Sequence, residues 1–305
     1  MTRADLKGVY TATITPVNQD RSLDTGAVKA LVDYYVDSGL KGALVPSSSG
    51  EYFSMTADMK RHFAAEAVKA SAGRFQILGN ISDDCPEVIL HNARVMADVG
   101  CDAVVCQPPQ FHGYSQEECI DLFNYVADNS PLPVIIYDHL LRLPTRPTVE
   151  TVIEMCKHEN IIGIKDTHRD NERPFQLKAA MKEAGVDFAV LLGGDMTVAS
   201  GCLAGCDLLN ALSAIRPDLM VGAWEAAQVG DVDTVNANQA KVGKLCKIFD
   251  CLRGGKSSST LFAMALKIAL EKKGLCGTQS VILGFEANDE DRAAVEAVLA
   301  SVDAD

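Results

Sequence analysis

The stretch IIGIKDT, residues Ile161–Thr167, carries the reading of the fold. Its run of isoleucine and glycine lacks the polar alternation of a half-solvated strand. It reads as a strand buried on both faces, as in parallel sheets whose helical crossovers cover both sides. One residue breaks the run, because Lys165 stands in line with the isoleucines. Strand alternation puts Gly163, Lys165 and Thr167 on one face and Ile162, Ile164 and Asp166 on the other.

Seven more short β-rich runs surround it: GVYTATIT from Gly8, GALVP from Gly42, FQILGNI from Phe75, AVVCQP from Ala103, LPVIIYD from Leu132, FAVLLGG from Phe188 and LLNALSA from Leu208. Helical periodicity fills the gaps. In TGAVKALVDYYVDSG, for example, Val28, Leu31, Val32 and Tyr35 recur at i, i+3, i+4 and i+7. Strand-helix units repeating at about 30 residues predict a (β/α)8 TIM barrel. A doubly wound open sheet is the runner-up, but it more often has fewer strands and a phosphate loop after the first. Past residue 230 the strand signal stops, and VNANQAKVGKLCKIFDCL, STLFAMALKIALEKKGL and DRAAVEAVLASV read as helices. The expected division is a catalytic barrel at 1–230 and a C-terminal all-helical domain at 231–305.

Bulk properties narrow the function classes. At 305 residues, with 48% hydrophobic and 23% charged residues, the chain has globular composition. Its 28 basic and 41 acidic residues leave a net charge of -13, which gives no footprint for nucleic acid. An anionic substrate would have to be drawn by local donors. MTRADLKGVY lacks the pattern of a secretory signal, and no run approaches the roughly 18 apolar residues of a membrane span, so a cytoplasmic protein without a membrane partner is expected. The ten cysteines show no C-x-x-C pair, in keeping with reduced thiols. The six histidines lack paired ligand spacing, so no metal site is expected. RGGKSSS ends like a phosphate loop, but the motif needs glycine where Asp250 stands.

In such a barrel, reactive groups belong at the carboxyl ends of the strands. That rule selects Ser48, Ser49 and Glu51 after the second strand, Tyr137 ending the fifth, Lys165 and Thr167 ending the sixth, and Asp195 after the seventh. With its isoleucine neighbours turned to the helices, Lys165 faces the barrel interior, where desolvation favours a neutral, nucleophilic amine able to condense with a ketone. Alone, the lysine reads more readily as a packed stem with its head in solvent. Tyr137, placed inward one strand away, adds a phenol able to shuttle protons, though a core tyrosine with a satisfied hydroxyl is common. PSSSGEY supplies hydroxyls and backbone N–H groups for a carboxylate, or simply a turn. Arg142 is the local cation for a second carboxylate, or an exposed loop arginine.

Together these features resemble the dihydrodipicolinate synthase and N-acetylneuraminate lyase family of class I aldolases. TPV..D..LD, SSSGE, PPQFHGYSQEE, YDHLLR and GIKDT stand in that family's order and spacing. The resemblance implies a Schiff-base lyase or aldolase acting on pyruvate or a related 2-oxo acid, assembled as a homotetramer or dimer. In that reading Lys165 forms the Schiff base and Tyr137 transfers protons. Ser48 and Ser49 bind the keto-acid carboxylate and relay protons to the tyrosine. Thr167 matches a position that neuraminate lyases use beside their lysine, and Arg142 matches the arginine by which the synthases hold a semialdehyde. Asp195 is a further substrate-binding candidate.

No cofactor is required, because the iminium is itself the electron sink. The departures fall at substrate-facing positions. Phe111 replaces a tyrosine that reaches a neighbouring subunit's site, Met196 replaces an acidic residue, and the tail lacks N-P-x-P. The alternatives are a true dihydrodipicolinate synthase using pyruvate and aspartate semialdehyde, or a sugar-acid dehydratase or aldolase. A non-catalytic binding protein would need neither Lys165 nor Tyr137.

Overall fold

A computed structural model describes residues 1–252 and 254–304, so Arg253 in the RGGKSSS linker and the last residue of the helical tail lie outside it. The strands are β1 (Val9–Ala12), β2 (Gly42–Val45), β3 (Gln76–Asn80), β4 (Ala103–Cys106), β5 (Val134–His139), β6 (Ile161–Thr167), β7 (Ala189–Leu192) and β8 (Asp207–Asn210). They pair in chain order, and β1 closes on β8, giving a barrel in which every ladder is parallel. The expected (β/α)8 barrel is what the chain forms.

The crossovers are α1 (Thr25–Asp37), α2 (Ala57–Ser71), α3 (Pro86–Asp98), α4 (Gln116–Asn129), α5 (Val149–Met155), α6 (Arg173–Ala184), α7 (Val198–Leu203) and α8 (Pro217–Gln228). Local chemistry sets their starts. Asp24 caps α1 by accepting from the Ala27 N–H at 2.9 Å. Ser115 and Glu118 form a reciprocal capping box on α4. The tail helices α9 (Val232–Leu245), α10 (Ser258–Glu271) and α11 (Asp289–Val302) follow, and one apolar core runs from the barrel into Val235, Val242, Leu266 and Val298. Among the described residues no helix is long and apolar enough to cross a membrane.

The amino-terminal segment covers the end of the barrel away from the strand carboxyl termini. Leu6 is fully buried there, and Arg3 donates to the carbonyls of Asp187, Cys156, His158 and Ile161 at 2.7 to 3.1 Å. That leaves the opposite mouth, at the strand carboxyl ends, as the place for a site.

Most strands are shorter than their sequence runs, and β1 by the most. β1 stops at Ala12, and the residues after β8 form a short 3-10 turn at Leu212–Ala214. Those extra residues are buried loops. Thr15, for instance, donates to the Gly50 carbonyl at 2.6 Å, and an apolar or hydroxyl run buried at a barrel mouth has the same pattern as a strand.

Candidate active site

β6 delivers Lys165 as its alternation predicts. The side chain is 3% exposed, and its register partner on β5 is Tyr137. The Lys165 Nζ stands 4.0 Å from the centroid of the Tyr137 ring, within cation–π range. Gly193, following β7, makes room for this arrangement. A Cβ there would overlap Thr167 Oγ1 and lie 3.2 Å from Lys165 Cε.

Tyr137 is buried and its hydroxyl meets Ser48 Oγ at 3.5 Å. Burial raises the phenol's pKa, but the Lys165 charge, the Ser48 contact and the Arg142 charge outweigh it, leaving the group below its ordinary value. A phenol so biased gives up its proton more readily beside the amine.

The loop after β2 is held by its own hydroxyls. Ser47 donates to the Thr13 carbonyl at 2.8 Å and accepts from the Gly50 N–H at 3.0 Å. Of the three serines, Ser47 is thus committed to structure, while Ser48 and Ser49 are half-buried at the mouth. Ser49 makes no side-chain hydrogen bond to the described residues. Glu51 holds the loop from behind in a left-handed conformation, φ 62°.

Thr167 follows Lys165 on the inward face, and its buried Oγ1 has no partner among the described residues. Asp195 is 7% exposed and accepts from the Leu212 N–H at 3.1 Å, so one carboxylate oxygen is tied to the backbone after β8. Burial pushes its carboxyl up to about 7, against the Leu212 hydrogen bond and the Lys165 charge. Arg142 is half-buried in the turn after β5 and donates to Ser259 Oγ at 3.0 Å at the start of α10. The structure therefore gathers Lys165, Tyr137, Ser48 and Thr167 closely, with Ser49, Asp195 and Arg142 around them.

Sequence reasoning missed a second set of buried charges behind the same strands. Asp138 and Asp166 directly follow Tyr137 and Lys165, and alternation turns them outward. Arg173, opening α6, donates to Asp166 Oδ2 at 2.7 Å and Asp138 Oδ2 at 3.1 Å, and His168 Nε2 lies 2.6 Å from Asp138 Oδ2. Arg146 completes the set at 2.6 Å from His168 Nδ1. Asp138, Asp166 and His168 bring potential ligand atoms within 4.8 Å of one another, but the two guanidinium groups already compensate their charge. The available signal was a pair of acidic residues on strand faces that otherwise bury isoleucine.

The pattern of the Dihydrodipicolinate synthetase family matches residues 5–300. An N-acetylneuraminate lyase of Rhizobium meliloti (strain 1021) is 29% identical over 247 residues, 80% of each chain. A 4-hydroxy-tetrahydrodipicolinate synthase of Gluconacetobacter diazotrophicus is 32% identical over 229 residues, covering 74% of this chain and 76% of the relative. Among solved structures, dihydrodipicolinate synthase from Bacteroides thetaiotaomicron superposes with a TM-score of 0.89 at 25% identity, over 97% of this chain and 98% of that one. A match that spans barrel and tail alike, around a buried lysine paired with a tyrosine, means that the chain belongs to the dihydrodipicolinate synthetase family and is a lyase of the class I aldolase type.

Proposed function

We propose that the substrate is pyruvate or a related 2-oxo acid and that Lys165 is the Schiff-base nucleophile. The Nζ lone pair attacks the C2 ketone, giving a carbinolamine, which loses water to give the iminium. Electrons from a broken C3–C4 bond, or from a C3–H bond, flow into the iminium and leave an enamine. The departing carbon group leaves as an aldehyde, and the reverse sequence is condensation. Tyr137 carries protons to and from the carbinolamine oxygen and the C4 oxygen, with Ser48 and Ser49 as relays. The same serines and nearby backbone N–H groups hold the C1 carboxylate.

The observation that carries this reading is the buried Lys165 Nζ lying 4.0 Å from the ring of its cross-strand partner Tyr137. Borohydride reduction in the presence of pyruvate, followed by peptide mass spectrometry, tests it. An adduct on Lys165 is expected, and its absence in folded protein overturns the assignment.

Arg142 supports a second, narrower reading, a dihydrodipicolinate synthase whose co-substrate carries its own carboxylate. Its charge reaches the Tyr137 and His139 rings at the mouth. Phe111 weighs against it, since it is 80% exposed and offers no hydroxyl. A homotetramer or dimer in the cytoplasm belongs to the main proposal. Its supports are the free cysteines and the exposed apolar side chains Phe111 and Leu141 at the mouth.

A further inference from the structure

The inward face of β5 and β6 carries a second rung above Tyr137 and Lys165. His139 pairs in register with Thr167, two residues nearer the mouth. Two residues of strand advance about 6.6 Å toward the mouth, so this rung flanks the mouth side of an acid whose C2 sits at Lys165. The His139 ring packs against Tyr137, centroids 5.8 Å apart and planes at 57°.

The imidazole's orientation is set by the turn that follows β5. Nδ1 accepts from the Leu141 N–H at 3.2 Å, which puts the ring proton of the neutral tautomer on Nε2. Nε2 has no hydrogen-bond partner among the described residues and keeps some exposure to solvent. Burial, then the charges of Arg142 and Lys165, push the imidazole down to about 3, so the ring is neutral throughout the neutral range. Across the rung, Thr167 Oγ1 is buried and has no partner among the described residues. The rung thus offers an N–H donor and a hydroxyl, both uncharged and both unspent.

We infer that His139 is the specificity-determining residue of this lyase, donating its Nε2–H to a hydroxyl oxygen that the substrate carries at C4. The inference rests on Lys165 being the Schiff-base residue. An uncharged donor suits a hydroxyl, whereas the guanidinium of Arg142 suits an anion. The preferred substrates are accordingly 4-hydroxy-2-oxo acids over their deoxy counterparts.

The test compares two acids that differ only at that oxygen, 2-oxopentanoate and 4-hydroxy-2-oxopentanoate, with pyruvate as the common reference. The readout is the concentration giving half-maximal borohydride adduct on Lys165, adducts of the intact acid and of pyruvate released from it being counted together. The wild-type protein is expected to favour the hydroxylated acid. His139→Phe keeps the ring volume and removes the donor. It should raise the half-maximal concentration for the hydroxylated acid about tenfold, the worth of one hydrogen bond, and leave pyruvate and 2-oxopentanoate unchanged. His139→Gln, which returns an N–H donor, should recover most of the preference.

An unchanged ratio between the two acids in His139→Phe overturns the inference. So does an equal loss for all three ligands, which marks a merely structural role. Failure of wild-type protein to form any adduct with pyruvate instead overturns the Schiff-base reading itself, and this inference with it.

Discussion

Glu51 and Lys267, 216 residues apart in the chain, form a buried ion pair of 2.8 Å. Lys267 lies on α10 in the helical tail and is fully buried, and its Nζ also donates to the Gln279 carbonyl at 2.6 Å. The other Glu51 oxygen accepts from Ser280 Oγ and from the Val281 N–H. The loop bearing Ser48 and Ser49 is therefore anchored in the tail. Lys267→Met should cost about 3 to 5 kcal/mol, because it strands a buried carboxylate. The double variant Glu51→Gln with Lys267→Met should recover part of that loss. Urea denaturation reads both, and a slowed approach to the Lys165 adduct in the double variant would mark a loosened serine loop.

Tyr137 contributes to rate more than to binding in the proposed chemistry. Tyr137→Phe keeps the ring beneath Lys165 Nζ and removes only the hydroxyl facing Ser48. Adduct should still form on Lys165 at long times, while turnover falls by about 10² to 10⁴, the usual worth of a general acid–base group. Time-resolved borohydride trapping separates the two effects. Turnover equal to wild type would remove Tyr137 from the proton path.

Asp195 predicts a pH dependence of stability with a definite sign. Its folded carboxyl lies at about 7, against an ordinary 3.8. Below pH 4 it is protonated in both states and its contribution is fully present. As pH rises, the unfolded chain ionises first while the folded state retains its proton, so stability drains away until the folded carboxyl also ionises near pH 7. Asp195→Asn keeps an acceptor for the Leu212 N–H and removes the titration. The stability difference, wild type minus variant, should fall by a few kcal/mol between pH 4 and 7 and then level off. Parallel curves across that range would show that the carboxyl titrates normally.

Legibility in the sequence tracked locality. Lys165 and Tyr137 could be placed from single strands, since alternation alone turns a side chain inward or outward and the strand count locates the mouth. Ser48 and Ser49 could be placed on the mouth loop, but not the division of labour by which Ser47 becomes its anchor, because that depends on the Thr13 carbonyl of another strand. Glu51 looked like one more mouth residue. Its partner is a tail lysine with no local signature, so its role as an anchor was invisible. Asp166 was placed on the helix-facing side, yet its partner Arg173 is set by where α6 begins. His139 was passed over as one of six scattered histidines, although the alternation that turned Tyr137 inward also applied to it.

Arg173 bridges the backs of the two reactive strands, since Asp138 and Asp166 immediately follow Tyr137 and Lys165. It also donates to the Pro147 carbonyl at 3.1 Å, so a single guanidinium ties β5, β6 and the loop before α5. Arg173→Met leaves two carboxylates buried beside Arg146 and His168 alone, and should cost about 3 to 5 kcal/mol of stability. Arg173→Lys retains the charge but cannot present two donors to two separate carboxylates at once. It should therefore recover part of the stability while leaving the strand ends less well fixed. The expected signature in Arg173→Lys is a folded protein whose half-maximal pyruvate concentration for the Lys165 adduct is raised. If Arg173→Lys matches wild type in both denaturation and trapping, the bridging geometry does not govern how Lys165 and Tyr137 are held.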